Sequence, residues 1–197
     1  MISQNLKKLN IELHDAPDPV GAYVAYKKSG NLLYISGQLP ISKDGKTIKG
    51  KVGKDLSIEQ GQEAAKFCVL NILAQAKKAM NGNLDKIKGC VRINGFVNSA
   101  DDFTDQPKVI NPASETISAI FGEDGKHTRV AVGVNSLPLG IAVEIDAHDM
   151  NAMKDAKNMK HQGVPLIILA HSSPYQGMTF LKKRFPRLHY VRFKSEE

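Results

Sequence analysis

Residues 57–82, SIEQGQEAAKFCVLNILAQAKKAMNG, predict the longest helix of the chain and, with it, the class of fold. Ser57 can cap this helix, and Gln60 three residues later completes a capping box. Asn81 and Gly82 end it, because both residue types tolerate the left-handed backbone that follows many helices. The apolar residues of the stretch recur at helical spacing and form one stripe that a core can bury: Ala65, Cys68, Val69, Ile72, Leu73, Ala76 and Met80.

Short β-forming runs lie on both sides of this helix. They predict strands over residues 23–28, 32–36, 87–97, 129–134 and 141–148, the first two joined as a hairpin. A second helix is expected within residues 105–121, where Pro112 either bends it or takes its first position after an Asn111 cap. The order β-β-α-β-α-β-β indicates an α+β fold, a mixed sheet with two helices on one face. The opposite face then needs cover, and an oligomer is the economical source.

The chain of 197 residues has the composition of a globular protein, with 42% apolar and 24% charged residues. No run of 18 apolar residues is present, which excludes a transmembrane helix, and the first residues lack the apolar core of a secretory signal. Two cysteines, Cys68 and Cys90, are too few for a disulfide scaffold, and both are expected to be packed. A cytoplasmic location follows as the expectation.

The formal net charge of +7 is concentrated at the C-terminus. Residues 1–150 carry 18 basic and 17 acidic side chains, whereas residues 151–197 carry 9 and 3. We therefore predict one domain over residues 1–150 and a basic extension over residues 151–197, patterned like a β-α-β unit. A solvated face is the favoured interpretation of that basic extension, and contact with RNA or an acidic partner is the alternative.

Several segments in order and register resemble the RidA/YjgF family over roughly residues 15–148. The matching segments are GAYV (21–24), LYISGQLP (33–40), GFVN (95–98), DF (102–103), RVAVGV (129–134), LP (137–138) and VEIDA (143–147). The resemblance implies a chorismate-mutase-like fold and a homotrimer whose sheets line a central barrel, with ligand clefts between neighbouring subunits. It also implies hydrolysis of reactive 2-imino (enamine) acids to 2-oxo acids and ammonia. No cofactor and no metal are expected.

The resemblance assigns roles to six residues. Arg129 matches the family arginine and would clamp the substrate carboxylate through two parallel hydrogen bonds. Asp146 stands where imine-hydrolysing members usually carry glutamate, and would place the attacking water. The substrate would be bound by Tyr23, Ser36, Gly37 and Ala131, with a backbone contact at Ala131. His127, two residues before Arg129, could lie near the cleft, but a turn-exposed histidine is the favoured interpretation.

Three functions remain open from the sequence. The favoured one is an imine deaminase built on Arg129. The second is a non-catalytic protein that binds a small carboxylate in the same cleft, and it follows from the aspartate at position 146. The third is an RNA-binding or translation-inhibitor role, a label that some family members carry, and it would depend on the basic extension.

Overall fold

The capping box at Ser57 forms as the sequence predicts. In the computed structural model, which describes residues 1–19 and 21–152, the Ser57 Oγ accepts from the Gln60 backbone N–H at 3.3 Å. The Gln60 Oε1 in turn accepts from the Ser57 N–H at 2.9 Å. The helix that follows, α2, covers Ile58–Ala79 and ends as positive φ angles set in at Asn81 and Gly82. The predicted stripe is buried in the core, Cys68 included.

Five strands form one mixed sheet in the order β1-β2-β5-β3-β4. Their bounds are Tyr26–Ser29 for β1, Leu32–Gln38 for β2, Ile87–Asn98 for β3, Thr128–Val134 for β4 and Val143–Ala152 for β5. All neighbouring pairs are antiparallel except β3 and β4. The parallel pair needs a crossover, and the second long helix supplies it. The predicted α+β class with a mixed sheet is confirmed.

That second long helix, α3, runs without a break over Gln106–Phe121 with Pro112 inside it, so Asn111 is not its cap. A proline has no N–H, and the carbonyl four residues earlier loses its helical partner. Here that carbonyl belongs to Lys108, and it accepts from the Gln62 side chain of α2 at 3.0 Å. The neighbouring helix therefore satisfies the group that Pro112 leaves open, and Asn111 and Ser114 stay three residues apart on one continuous helix.

A short helix at the N-terminus, α1 (Ile2–Lys8), is not predicted by the sequence pattern. It is seven residues long and has no side-chain cap. Tertiary contacts hold it: Asn5 donates to the Ile120 carbonyl at 2.8 Å, and Ser3 donates to Asp85 at 2.6 Å. Ile2 and Leu6 are buried in the same core as α2 and α3. The described residues thus contain three α-helices, where the pattern of residues 1–150 predicts two.

The helices bury one face of the sheet and leave the other without cover from any described element. Alternation along β3 shows this, since Ile93, Gly95 and Val97 are buried whereas Asn94 and Phe96 are only partly covered. Two large side chains of the uncovered face stay exposed: Val132 by 41% and Tyr34 by 37%. The predicted C-terminal extension lies, apart from residues 151 and 152, outside the described residues.

Candidate functional site

A bend in β2 at Ser36 and Gly37 forms the floor of the candidate site. The pairing of β2 with β5 shifts register between Ile35 and Gln38. The Ser36 hydroxyl donates to the Val24 carbonyl at 2.8 Å. From the buried side, Gln38 Nε2 donates to the Ser36 carbonyl at 2.9 Å, and Gln75 Nε2 donates to Gln38 Oε1 at 3.4 Å. Buried amides therefore hold the irregular backbone in place.

A recess of about 190 Å³ lies over this bend. Ser36, Gly37 and Asp146 line it, together with Lys27 and Tyr34. Tyr23 is half-exposed and lines a smaller adjacent hollow of about 30 Å³ that shares Gly37 with the recess. Four of the six predicted site residues are therefore close together around one bend.

A second carboxylate, Glu144, is present beside Asp146. The two are two residues apart on β5, so their side chains share the uncovered face of the sheet. Burial raises the pKa of Glu144, and the negative charge of Asp146 raises it further. Asp146 accepts from the Asn94 amide at 2.8 Å, and Asn94 Oδ1 accepts from Arg92 at 3.0 Å. The pair therefore combines a carboxyl with a raised pKa and a carboxylate that is hydrogen-bonded across the sheet.

Arg129 and Ala131 lie away from the recess in the same chain. Ile93 pairs with Arg129 on one side and with Ala147 on the other, so these residues share the helix-covered face, and Ala131 packs against its core. Asp146 pairs with Asn94 and lies on the opposite face. β4 and β2 are separated by two strands, about 14 Å at the usual spacing. The fold of a single chain therefore does not bring Arg129 to the recess.

Arg129 is held by helix α3 through one end of its guanidinium. Its Nη1 donates to Asn111 Oδ1 at 3.0 Å and to Ser114 Oγ at 3.1 Å. Both hydrogen atoms of Nη1 are thereby used. Among the described residues no hydrogen bond or ion pair involves its Nε or Nη2, the edge that takes a carboxylate side-on. The arrangement suits a planar clamp for a carboxylate.

The sequence and fold match one family along most of the chain. The family model described as "YjgF/chorismate_mutase-like, putative endoribonuclease" matches residues 4–145. The chain belongs to the YjgF/RutC family. The predicted RidA/YjgF resemblance is thus confirmed. No helix of the described YjgF/RutC domain has the length and apolarity to cross a membrane.

Relatives within the YjgF/RutC family include proteins of different descriptions. Protein TCP17 of Trypanosoma cruzi is 45% identical over 147 residues, which are 74% of this chain and 91% of that protein. The crystal structure of Atu1372 from Agrobacterium tumefaciens, a protein of unknown function, is 46% identical and superposes with a TM-score of 0.70. It covers 76% of this chain and 92% of its own. A 2-iminobutanoate/2-iminopropanoate deaminase of Dermatophagoides farinae is 26% identical over 133 residues, 67% of this chain and 88% of that protein.

The sequence did not predict that Glu144, Gln38, Asn111 and Ser114 take part in the site of this YjgF/RutC domain. Glu144 has a signal in the sequence, since its i,i+2 spacing from Asp146 on a strand places both on one face. Gln38 lies within a matched segment, but its inward hydrogen bonds depend on the bend in β2. The expectation of an exposed His127 is wrong: the ring is half-buried, and both of its nitrogens have partners.

Gly37→Ala is expected to displace the Glu144 carboxylate. A Cβ at Gly37 would overlap Glu144 Oε1 and lie 2.8 Å from its Cδ. The side chain of Glu144 must then move, and we expect the free energy of unfolding to fall by about 1–2 kcal/mol. Urea unfolding measures this loss. In a Glu144→Ala background the same substitution should be almost neutral, and an equal loss in both backgrounds would contradict the steric explanation.

Proposed function

We propose that this protein hydrolyses 2-imino acids to 2-oxo acids and ammonia. The observation that carries the proposal is the geometry of Arg129: Nη1 is held by Asn111 and Ser114, and the Nε–Nη2 edge remains for a ligand. That edge fits a carboxylate bidentately, and a 2-imino acid carries its carboxylate directly beside the electrophilic C=N carbon. Binding the carboxylate therefore also fixes the position of the reacting carbon.

The proposed site is assembled from two subunits. Arg129 and the recess lie on different faces of one sheet, so a single chain does not offer both to one substrate. We infer a homotrimer in which Arg129 of one subunit faces the Ser36–Gly37 bend of its neighbour. The uncovered sheet face with exposed Val132 and Tyr34 supports this assembly, because apolar surface of this kind is commonly buried between subunits.

Glu144 is the favoured group for proton transfer in this proposal. Water attacks the C=N carbon, a carboxylate accepts the water proton, and the nitrogen receives a proton before ammonia leaves. A group that takes and returns a proton works best when its pKa is near the working pH. Burial and Asp146 move the pKa of Glu144 in that direction. In this proposal the negative charge of Asp146 helps to raise the pKa of Glu144, and the alternative is the predicted role of Asp146 in placing the water.

The deaminase name of the mite relative supports the same chemistry, at 26% identity. Lys27 and Tyr34 also line the recess, and they add an ammonium and a phenol to a lining that includes Val24 and Ile35. A recess of this mixed kind can accept imino acids with polar or with alkyl side chains.

The wild-type protein is expected to accelerate 2-oxo acid formation from imines that an amino-acid oxidase generates in situ, with catalase present to remove peroxide. The assay follows 2-oxo acid appearance over the spontaneous background, with alanine- and aspartate-derived imines run in parallel. Protein heated to unfolding is the control. No acceleration with any imine would overturn the proposed activity. If a 2-oxo acid then still raised the melting temperature, a non-catalytic carboxylate-binding protein would replace it.

A further inference from the structure

Ser114 and His127 connect Arg129 to the backbone by a continuous set of hydrogen bonds. Arg129 Nη1 lies 3.1 Å from Ser114 Oγ, which lies 3.0 Å from His127 Nε2. His127 Nδ1 lies 2.6 Å from the Gly125 carbonyl oxygen. The set joins strand β4, helix α3 and the 3₁₀ turn Gly122–Gly125. It is separate from the recess residues.

When the His127 ring carries a single proton, the chemistry of the partners assigns the hydrogen of each contact. A carbonyl oxygen only accepts, so His127 Nδ1 carries a hydrogen and donates it to Gly125. A guanidinium only donates, so Ser114 Oγ accepts from Arg129 and has its own hydrogen to give. A neutral imidazole protonated on Nδ1 offers a lone pair on Nε2, which accepts that hydrogen. The three hydrogen bonds then all run in one direction, from Arg129 through Ser114 and His127 to Gly125.

We propose that His127 is a positioning residue for Arg129 and acts through Ser114. The Ser114 hydroxyl can rotate about its Cα–Cβ and Cβ–Oγ bonds, and the His127 Nε2 acceptor selects the rotamer whose lone pair faces Nη1. The guanidinium plane is then set before the substrate arrives, and less freedom is lost on binding. The inference rests on the proposed function in one respect: it takes the Nε–Nη2 edge as the carboxylate-binding edge.

Two amide substitutions separate the contact with Ser114 from the contact with Gly125. Glutamine at position 127 places its amide near the former Nε2 and can accept from Ser114. Asparagine places its amide near the former Nδ1 and can donate to Gly125 without reaching Ser114. His127→Gln should therefore keep the Kd for pyruvate within about twofold, whereas His127→Asn and Ser114→Ala should weaken it about tenfold, as expected for a lost hydrogen bond to a charged group. Calorimetry on the full chain measures the Kd values.

Controls distinguish positioning from general loosening of the fold. Ser114→Ala in an Arg129→Ala background should cause no further loss, because the contact then has nothing to orient. The free energy of unfolding and the oligomeric state are measured for each variant. Wild-type binding by His127→Asn with weak binding by His127→Gln would overturn the proposal and show that His127 anchors the turn at Gly125. Equal Kd values for all variants, or equal losses in the Gln and Asn variants, would also overturn it.

A spectroscopic readout keeps the inference independent of the proposed activity. The Nε–Hε resonance of Arg129, assigned by its loss in Arg129→Lys, reports the order of the guanidinium without any ligand. We expect that order to fall in Ser114→Ala and His127→Asn and to persist in His127→Gln. If the wild type binds no carboxylate but this pattern holds, the proposed function fails and the positioning role stands. An Nε–Hε resonance that none of the three changes overturns the positioning role.

Discussion

Arg129→Ala is expected to lower kcat/KM for imine hydrolysis by roughly 10²- to 10³-fold. The substitution removes a bidentate, charged contact to the substrate carboxylate, and a desolvated contact of that kind contributes about 3–4 kcal/mol. The in situ imine assay measures this loss. Because the carboxylate also orients the C=N carbon, both kcat and KM should worsen.

The fold should tolerate this change. Arg129 is half-buried at the edge strand, and its contacts in the described chain are to the neutral side chains of Asn111 and Ser114. We expect a loss of about 1 kcal/mol in the free energy of unfolding and an unchanged oligomeric state. Arg129→Lys is the matched control, since it keeps the charge and loses the planar fork. Activity of Arg129→Lys close to that of the wild type would contradict a bidentate clamp. Activity of Arg129→Ala close to that of the wild type would show that Arg129 has no part in the mechanism.

Local signals explain why α2 could be predicted nearly to the residue. Ser57, Gln60, Asn81 and Gly82 each act within one helical turn of themselves, and the apolar stripe between them has one period. The order of the strands in the sheet has no such local signal. β5 lies between β2 and β3, and β4 lies parallel to β3. Both facts follow from contacts between distant segments, which no local pattern records.

The helix through Pro112 shows the same limit. Proline within a helix is unfavourable by itself, and the sequence alone leaves a cap at Asn111 equally open. The structure keeps the helix because Gln62, 46 residues before Lys108, donates to the Lys108 carbonyl that Pro112 leaves without a partner. This continuity matters for the site, because it places Asn111 and Ser114 where both can hold Arg129.

The residue types of the candidate site can be recognised in the sequence, but which of them lie close together depends on the fold. Residue types such as Arg129, Ser36 and Asp146 indicate carboxylate binding and proton transfer wherever they lie. Which face each one occupies depends on register: Arg129 pairs with Ile93, and Asp146 pairs with Asn94 one residue further along. A difference of one residue places the two side chains on opposite sides of the sheet. The separation of Arg129 from the recess within one chain therefore follows from the strand pairing, which the motifs do not record.

Glu144→Gln is expected to lower the rate of imine hydrolysis by about 10²- to 10⁴-fold, the usual range for a lost general base. It should also stabilise the fold at neutral pH. The folded state raises the pKa of Glu144, so it binds the proton more tightly than the unfolded chain does. Stability therefore falls as pH rises from the ordinary glutamate range through the raised pKa, and it stays lower above that window. Glutamine removes this penalty, and its advantage in urea unfolding should vanish below the ordinary glutamate range.

Asp146→Asn is the matched comparison that decides between the two carboxylates. Asparagine keeps an oxygen for the Asn94 amide and removes the charge that raises the pKa of Glu144. If Glu144 accepts the water proton, Asp146→Asn should keep most of the activity and move the acid limb of the kcat/KM profile to lower pH. If Asp146 places the water, Asp146→Asn should be the more damaging substitution and Glu144→Gln the milder one. The two profiles, measured over about pH 4 to 8, therefore assign the reacting carboxylate by the direction of the shift as well as by the size of the loss.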